Sequence, residues 1–303
     1  MENRDHVLSH LHTVRDFARW GVSRFTHAQI HLGHGTDNAW DEALALIFHG
    51  LDIPVELSVE LMPQLLDCKL TPTERQTVVT LIETRVHDRL PLPYITGHTF
   101  FSGLRFKVDE RVLIPRSPIA ELIEQGFQPW AGNGANRVLD LCCGSGCIGI
   151  ACAVHLDASV TLADVSTDAL EVARQNIASH QVEQQVALVQ SNLYDELDGR
   201  QFDVIVCNPP YVGAAEFNGL PEEYRHEPAL ALEGGEDGLD LVRNILDNAA
   251  AHLSGDGLLV LEVGNSMVAL EQAFPEVPFV WAEFSRGGHG VCMLTRGELQ
   301  AHF

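Results

Sequence analysis

From Asn136 onward the chain alternates short apolar runs with longer stretches of helical period, and this alternation limits the fold more than any other feature. Strand candidates fall at Arg137–Leu141, Val160–Ala163, Val186–Val189, Phe202–Cys207, Leu258–Val263, Phe279–Phe284 and Val291–Thr295. Helical candidates lie near Cys147–His155, Thr167–His180, Leu239–Leu253 and Met267–Ala273. Strands joined through helices pair in parallel, because each crossover returns the chain to the same edge of the sheet. The last two strands, joined through Arg286-Gly287-Gly288-His289-Gly290, predict a terminal antiparallel hairpin. The expectation is an α/β fold with a doubly wound, seven-stranded Rossmann-like sheet. Ligands of such sheets bind beyond the carboxyl ends of the strands.

The first ninety residues read differently. Leu8, Leu11, Val14, Phe17 and Ala18 fall on the three-to-four spacing of one amphipathic helix. Asp41 to Leu51 and Ser58 to Leu66 repeat that period. Thr71-Pro72-Thr73 starts a further helix through Val78, Leu81, Ile82 and Val86, which Pro91 and Pro93 end. From Tyr94 to Arg116, Phe100-Phe101, Leu104, Phe106, Val108, Val112 and Ile114 suggest short strands around a Ser102-Gly103 turn. The organisation expected is a helical domain over residues 1–92, a β-hairpin connector over 93–116 and the α/β domain over 117–303. No internal repeat interrupts it.

Composition narrows the function classes. The 303 residues suit two domains, and 46% of them are hydrophobic. No run of 18 apolar residues offers a membrane span, and the polar start Met1-Glu2-Asn3-Arg4-Asp5-His6 is not a secretory signal. Four of the seven cysteines crowd into Cys142, Cys143, Cys147 and Cys152 without a C-x-x-C pair. They read as small apolar residues in a reducing cytoplasm, with no metal site. The net charge of −23, from 42 acidic and 19 basic residues, repels a phosphate backbone and attracts basic partners. The same acidity also serves plain solubility.

Val138-Leu139-Asp140-Leu141-Cys142-Cys143-Gly144-Ser145-Gly146-Cys147-Ile148-Gly149 reads as strand, glycine turn and helix. Such a turn brings backbone N–H groups close to a ligand. Asp164, at the end of the second strand, can accept hydrogen bonds from ribose hydroxyls. Gly144, Gly146 and Gly149 keep the G-x-G-x-x-G spacing, so this much leaves NAD and S-adenosylmethionine both open. Asp140 favours the second, since its carboxylate suits the cationic amino group of a methionine moiety. Asn192 and Leu193, after the third strand, are candidates to read an adenine edge.

The fourth strand runs into Asn208-Pro209-Pro210-Tyr211. The prolines stop the strand and force extended backbone before them, which holds Asn208 stiffly at the ligand edge. A planar nitrogen is a poor nucleophile because its lone pair is conjugated. Two acceptors, the Asn208 side-chain oxygen and the Pro209 carbonyl, can hold its two N–H groups and favour positive charge as it attacks a methyl group. The Tyr211 ring can cover the planar group. A sulfonium methyl donor needs no strong base, so His34, His226 and His289 are assigned surface or turn roles. Trp40 is assigned to packing of the helical domain. Arg116 either orients substrate or pairs with a carboxylate.

At these residues the chain resembles the HemK-like protein-glutamine methyltransferases. The likeness spans nearly the whole sequence. It includes Pro93-Tyr94-Ile95-Thr96-Gly97, Val112-Leu113-Ile114-Pro115-Arg116, the glycine turn, Asn208–Tyr211, Glu227-Pro228-Ala229-Leu230 and Gly234-Gly235-Glu236-Asp237-Gly238-Leu239. The resemblance implies a class I methyltransferase sheet, S-adenosylmethionine as cofactor and methylation of a glutamine side-chain amide in a partner protein. It implies cofactor contacts at Cys142, Cys143, Gly144, Ser145, Gly146, Asp164 and Leu193, and substrate contacts at Asn208–Tyr211. Asn192 and Asn208 are further candidates for the cofactor, and Arg116 for the substrate. One subgroup of the family modifies the Gly-Gly-Gln loop of peptide release factors. Another modifies the third protein of the large ribosomal subunit. Arg116-Ser117-Pro118-Ile119-Ala120-Glu121 resembles the ribosomal-protein subgroup, as do Gly33–Glu42 and Tyr224-Arg225-His226-Glu227-Pro228. Cys142-Cys143 replaces the more usual Gly-Thr or Cys-Thr, and Asn192 stands where the family often has aspartate. The competing readings are the release-factor reaction, methylation of an exocyclic base amine in nucleic acid, and a non-catalytic ribosome assembly factor.

Overall fold

The computed structural model describes residues 4–54, 61–132 and 134–303. The chain forms two compact units: Met1–His98 with Pro221–His226, and Thr99–Leu220 with Glu227–Phe303.

The first unit is helical, with α1 Arg4–His10, α2 Val14–Ala28, α3 Ala39–Gly50, α4 Met62–Leu66, α5 Pro72–His87 and α6 Leu92–Thr96. The single helix expected across Leu8–Ala18 is two helices. Thr13 caps α2 with its hydroxyl on the Asp16 amide, and the Asp16 carboxylate reaches back to the Thr13 amide. This reciprocal capping box starts a new helix where apolar spacing alone continues the old one. The N-terminal part of the expected Ser58–Leu66 helix lies outside the described residues. Pro93 sits in the first turn of α6 instead of ending α5, which stops at His87. Phe17, Ala18, Leu46, Ile47, Val78 and Ile82 form the centre of this unit's core, and Trp40 packs at its margin.

A buried arginine and two buried carboxylates lie inside that core. The Arg85 side chain is 1% exposed, and its Nε donates to Glu42 Oε1 at 2.6 Å. Its other nitrogens donate to the His31 carbonyl at 2.8 Å and to Glu223 Oε1 at 3.5 Å. The Thr36 hydroxyl also donates to Glu42. His34, expected at a surface or turn, is buried with its ring 4.5 Å from that of Tyr224.

The second unit begins with a hairpin, β1 His98–Phe101 and β2 Leu104–Lys107, turning at Ser102-Gly103 with positive φ at both residues. Val108, Val112 and Ile114 continue no strand. Asp109 closes a turn by accepting from the Arg111 amide, and the Ile114 amide donates to the Glu227 carboxylate at 2.9 Å instead of to a neighbouring strand. Helix α7 Ile119–Glu124 follows.

The sheet then builds in alternation: β3 Arg137–Leu141, α8 Cys147–Leu156, β4 Ser159–Asp164, α9 Thr167–His180, β5 Val186–Gln190, β6 Phe202–Cys207, α10 Ala214–Phe217, α11 Asp240–His252, β7 Leu253–Glu262, α12 Met267–Ala273, β8 Val280–Trp281, β9 Val291–Thr295 and α13 Arg296–His302. Its order is β5-β4-β3-β6-β7-β9-β8, with only β9 and its partners antiparallel. The expected seven-stranded sheet with a terminal hairpin is therefore the observed one, although β8 keeps two residues of the run Phe279–Phe284. Successive strand residues serve opposite cores. Val138, Val160, Val204 and Val260 face α7, α8 and α9, while Leu139, Ile205, Leu259 and Leu261 face α11 and α13. At Gly149 an added Cβ would overlap Leu162 Cδ2 and approach Val160 Cγ1 to 2.9 Å, so α8 lies as close to the sheet as backbone allows.

Replacing Arg85 with alanine leaves the buried Glu42 without its cation, which typically costs about 3–5 kcal/mol. Urea unfolding of Arg85→Ala measures this, and a loss below about 1 kcal/mol would contradict the assignment.

Candidate active site

The winding of the sheet reverses between β3 and β6. From β3 the chain moves outward through β4 to β5, and from β6 it moves the other way to β7. Leu141 pairs with Cys207 at the carboxyl ends of these two strands. A cavity opens there with an empty volume of about 1030 Å³, open solvent at its mouth included.

One wall is the turn after β3. Cys142 has φ of 60°, a left-handed conformation uncommon for a residue with a side chain. The Cys143 amide donates to the Ala163 carbonyl at 3.1 Å, and the Gly144 amide donates to Asp164 Oδ2 at 2.9 Å. The other oxygen of Asp164 accepts from the Ser166 amide at 2.9 Å. Burial raises the Asp164 carboxyl above the usual aspartate value, against the pull of those amides. Cys142, Cys143, Gly144, Ser145 and Asp164 all line the cavity, whereas Gly146 stands behind them as the N-cap of α8.

Asp140 is not in the wall. Its carboxylate is buried and accepts from the Gly149 amide at 2.7 Å. Burial pushes its pKa up to about 7, opposed by the Gly149 amide and assisted by the Asp164 charge. One oxygen of Asp140 is thus engaged within the turn by the Gly149 amide.

Asn192 and Leu193 line the next part of the cavity. Leu193 is buried with φ of 50°, and the exposed Asn192 donates its amide to Asp195 at 3.2 Å. Asn208 and Pro210 line the wall beside β6, with Asn208 half-buried. Among the described residues no group hydrogen-bonds the Asn208 side-chain amide. Pro209 is buried outside the wall, and the Tyr211 hydroxyl donates to Glu262 at 3.1 Å. Arg116 lines the cavity and forks onto Glu227 with bonds of 2.6 and 2.8 Å, so carboxylate pairing is what the fold gives it. His226 bonds the Asp88 carbonyl within the helical unit, and His289 bonds Asn265.

Two carboxylates of this region were not singled out from the sequence. Glu227 was visible only as part of a motif, without a role. Glu262 ends the apolar run of β7, where a lone charge at the carboxyl edge of a buried strand was the available signal. Burial raises the Glu262 carboxyl, while the Ser117 and Tyr211 hydroxyls and the Arg116 charge oppose the rise.

The sheet order and the switch-point cavity define a Rossmann-like methyltransferase of class I. Residues 126–220 match the family model of the methyltransferase small domain. The chain is 48% identical over 292 residues to the ribosomal protein uL3 glutamine methyltransferase of Bordetella pertussis, covering 95% of this chain and 97% of that one. It is 43% identical over 301 residues to the enzyme of that name from Francisella tularensis, covering 98% and 95%. The fold is also that of the catalytic domain of hMettl16, solved in complex with the MAT2A 3'UTR hairpin 6, at a TM-score of 0.50 and 18% identity over 73% of this chain and 80% of that chain. The chain belongs to the ribosomal protein uL3 glutamine methyltransferase family. Its methyl donor is S-adenosylmethionine. The cavity fits that group: an ideal Cβ on Gly144 meets no atom within 4 Å, so bare backbone faces the space, and Asp164 beside it offers a carboxylate to hydroxyls.

Asp140 gives this site a pH signature. Its carboxyl titrates near 7 in the fold against 3.8 when unperturbed, so between those values the folded chain holds a proton that the unfolded chain has lost. Stability from this group is fullest below the lower value and is lost as pH rises through the upper one, a contribution on the order of 4 kcal/mol. Asp140→Asn keeps an acceptor for Gly149 and removes the titration. Urea unfolding at about pH 5 and about pH 7.5 should show a smaller drop for the variant, and equal drops would refute the assignment.

Proposed function

We propose that this chain transfers a methyl group from S-adenosylmethionine to the side-chain amide nitrogen of a glutamine in ribosomal protein uL3. The observation that carries the reading is Asn208: a half-buried amide in the wall of the switch-point cavity, stiffened by Pro209 and Pro210, with no hydrogen-bond partner among the described residues. An amide in that setting can take a second amide as its ligand.

The cofactor supplies a methyl group on a sulfonium, a leaving group that needs neither metal nor strong base. The chain supplies position. Asp164 would accept from ribose hydroxyls, and the backbone of Cys142–Gly146 would hold the cofactor. Asn192 and Leu193 border its adenine. Asp140 supports the turn through the Gly149 amide. The Asn208 oxygen and the Pro209 carbonyl hold the two N–H groups of the glutamine amide, so its nitrogen faces the methyl group and positive charge on it is favoured. One of those protons then leaves to water as the nitrogen becomes secondary. Tyr211 and Pro210 enclose the planar group, and Arg116, locked by Glu227, shapes the wall opposite.

The net charge of −23 suits a basic substrate protein through electrostatic steering, and it disfavours stable binding to nucleic acid. The helical region, residues 1–92, serves substrate recognition in this reading, with 93–116 as connector and 117–303 as the catalytic domain. The reaction belongs to the cytoplasm, in keeping with free cysteines throughout. No helix among the described residues is long and apolar enough to cross a membrane.

Incubation with labelled cofactor and either purified uL3 or a peptide release factor tests the substrate. Label on uL3 is expected, and label on the release factor alone would sink the proposal. Asn208→Ala should lower kcat by about 100-fold or more while the cofactor Kd stays within about threefold. An unchanged kcat would remove Asn208 from the reaction.

A further inference from the structure

We propose that Glu262, at the carboxyl end of β7, is a positioning residue that fixes Tyr211 in the candidate active site. The proposal rests on the reading of Asn208–Tyr211 as the catalytic segment. Glu262 is buried and accepts from two hydroxyls, Tyr211 at 3.1 Å and Ser117 at 2.5 Å. Both hydroxyls donate to it, so neither rotates freely. Ser117 stands in the cavity wall next to Arg116, and its oxygen also accepts from the Ile119 amide at 3.1 Å. One carboxylate thus ties the catalytic segment to the Arg116-Ser117 wall.

The residues that follow Glu262 hold the same tyrosine from other sides. Gly264 has φ of 47°, and a Cβ there would come within 2.6 Å of Tyr211 Cε2, so the ring lies against bare backbone. The Ser266 hydroxyl donates to the Tyr211 carbonyl at 2.7 Å. Ring, hydroxyl and carbonyl of one residue are each restrained by the stretch Glu262–Ser266. Stability alone does not call for this arrangement, because buried ionic groups replaced by apolar ones of similar size are often neutral or stabilising. Placement of a ring three residues beyond Asn208 does call for it, since small misplacements at a reacting centre cost large factors in rate.

The test compares Glu262→Gln, Tyr211→Phe, their double variant and Tyr211→Ala. For each, kcat, the KM for substrate protein, the cofactor Kd and the melting temperature are measured. Glu262→Gln and Tyr211→Phe should each lower kcat by between about 10- and 100-fold, with KM and cofactor Kd within about threefold. The double variant should fall no further than the worse single one, because both changes break one link. Multiplying effects, or a lower melting temperature with kcat intact, would overturn the proposal. Ser266→Ala releases the Tyr211 carbonyl while leaving Glu262 in place. It should also lower kcat at unchanged cofactor affinity, and it decides the matter if Glu262→Gln does not fold. An unimpaired Tyr211→Ala would instead overturn the catalytic reading of Tyr211. An impaired Tyr211→Ala beside an unimpaired Glu262→Gln would overturn only the role of Glu262.

Discussion

The parallel register between β3 and β6 is the constraint on which the site depends. Leu141 opposite Cys207 ends both strands at one level, so the Cys142–Gly146 turn and Asn208 leave the sheet side by side. Winding reverses between these strands, and their connections depart toward different faces. A crevice results that no helix crosses. The register is pinned by the two cores, because a slip of one residue would turn Leu139 and Ile205 toward the wrong layer. The close seat of α8 at Gly149 then sets how far the turn stands from Asp164.

Most of the α/β unit was legible because it obeys local rules. Arg137–Leu141, Phe202–Cys207, Val291–Thr295, Thr167–His180 and Met267–Ala273 begin and end where the sequence puts them. Their signals are periodicity and nearby breakers, which act within a few residues. The misreadings arise where a polar side chain overrides the apolar pattern. At Thr13 a side-chain cap overrides apolar spacing. At Ile114 an amide finds a carboxylate 113 residues away, and a strand pattern has no strand to join.

The polar interior escaped the sequence because its partners lie far apart in the chain. Glu42 and Arg85 are 43 residues apart, while Glu262 and Ser117 are 145 apart. Glu42, Arg85 and Glu262 taken singly read as solvated charges on a helix or at a strand end. Only the fold shows that these side chains are buried and must satisfy one another. Asn208 was legible by contrast, since its constraint is the pair of prolines beside it. The site thus combines a locally written part, Asn208-Pro209-Pro210 and the glycine turn, with carboxylates that the tertiary structure delivers.

The end of β7 has a further consequence in the order of synthesis. Both Val263 and Gly264 donate their amides to the Gly290 carbonyl, at 2.7 and 3.2 Å. The segment that packs on Tyr211 is therefore itself fastened by a residue far downstream, just before β9 enters the sheet between β7 and β8. A chain emerging N-terminus first carries the glycine turn, Asp164 and Asn208 long before it carries Gly290. The site acquires its final shape after its parts, so between the synthesis of Asn208 and that of Gly290 the nascent protein carries a site that is present but not yet set.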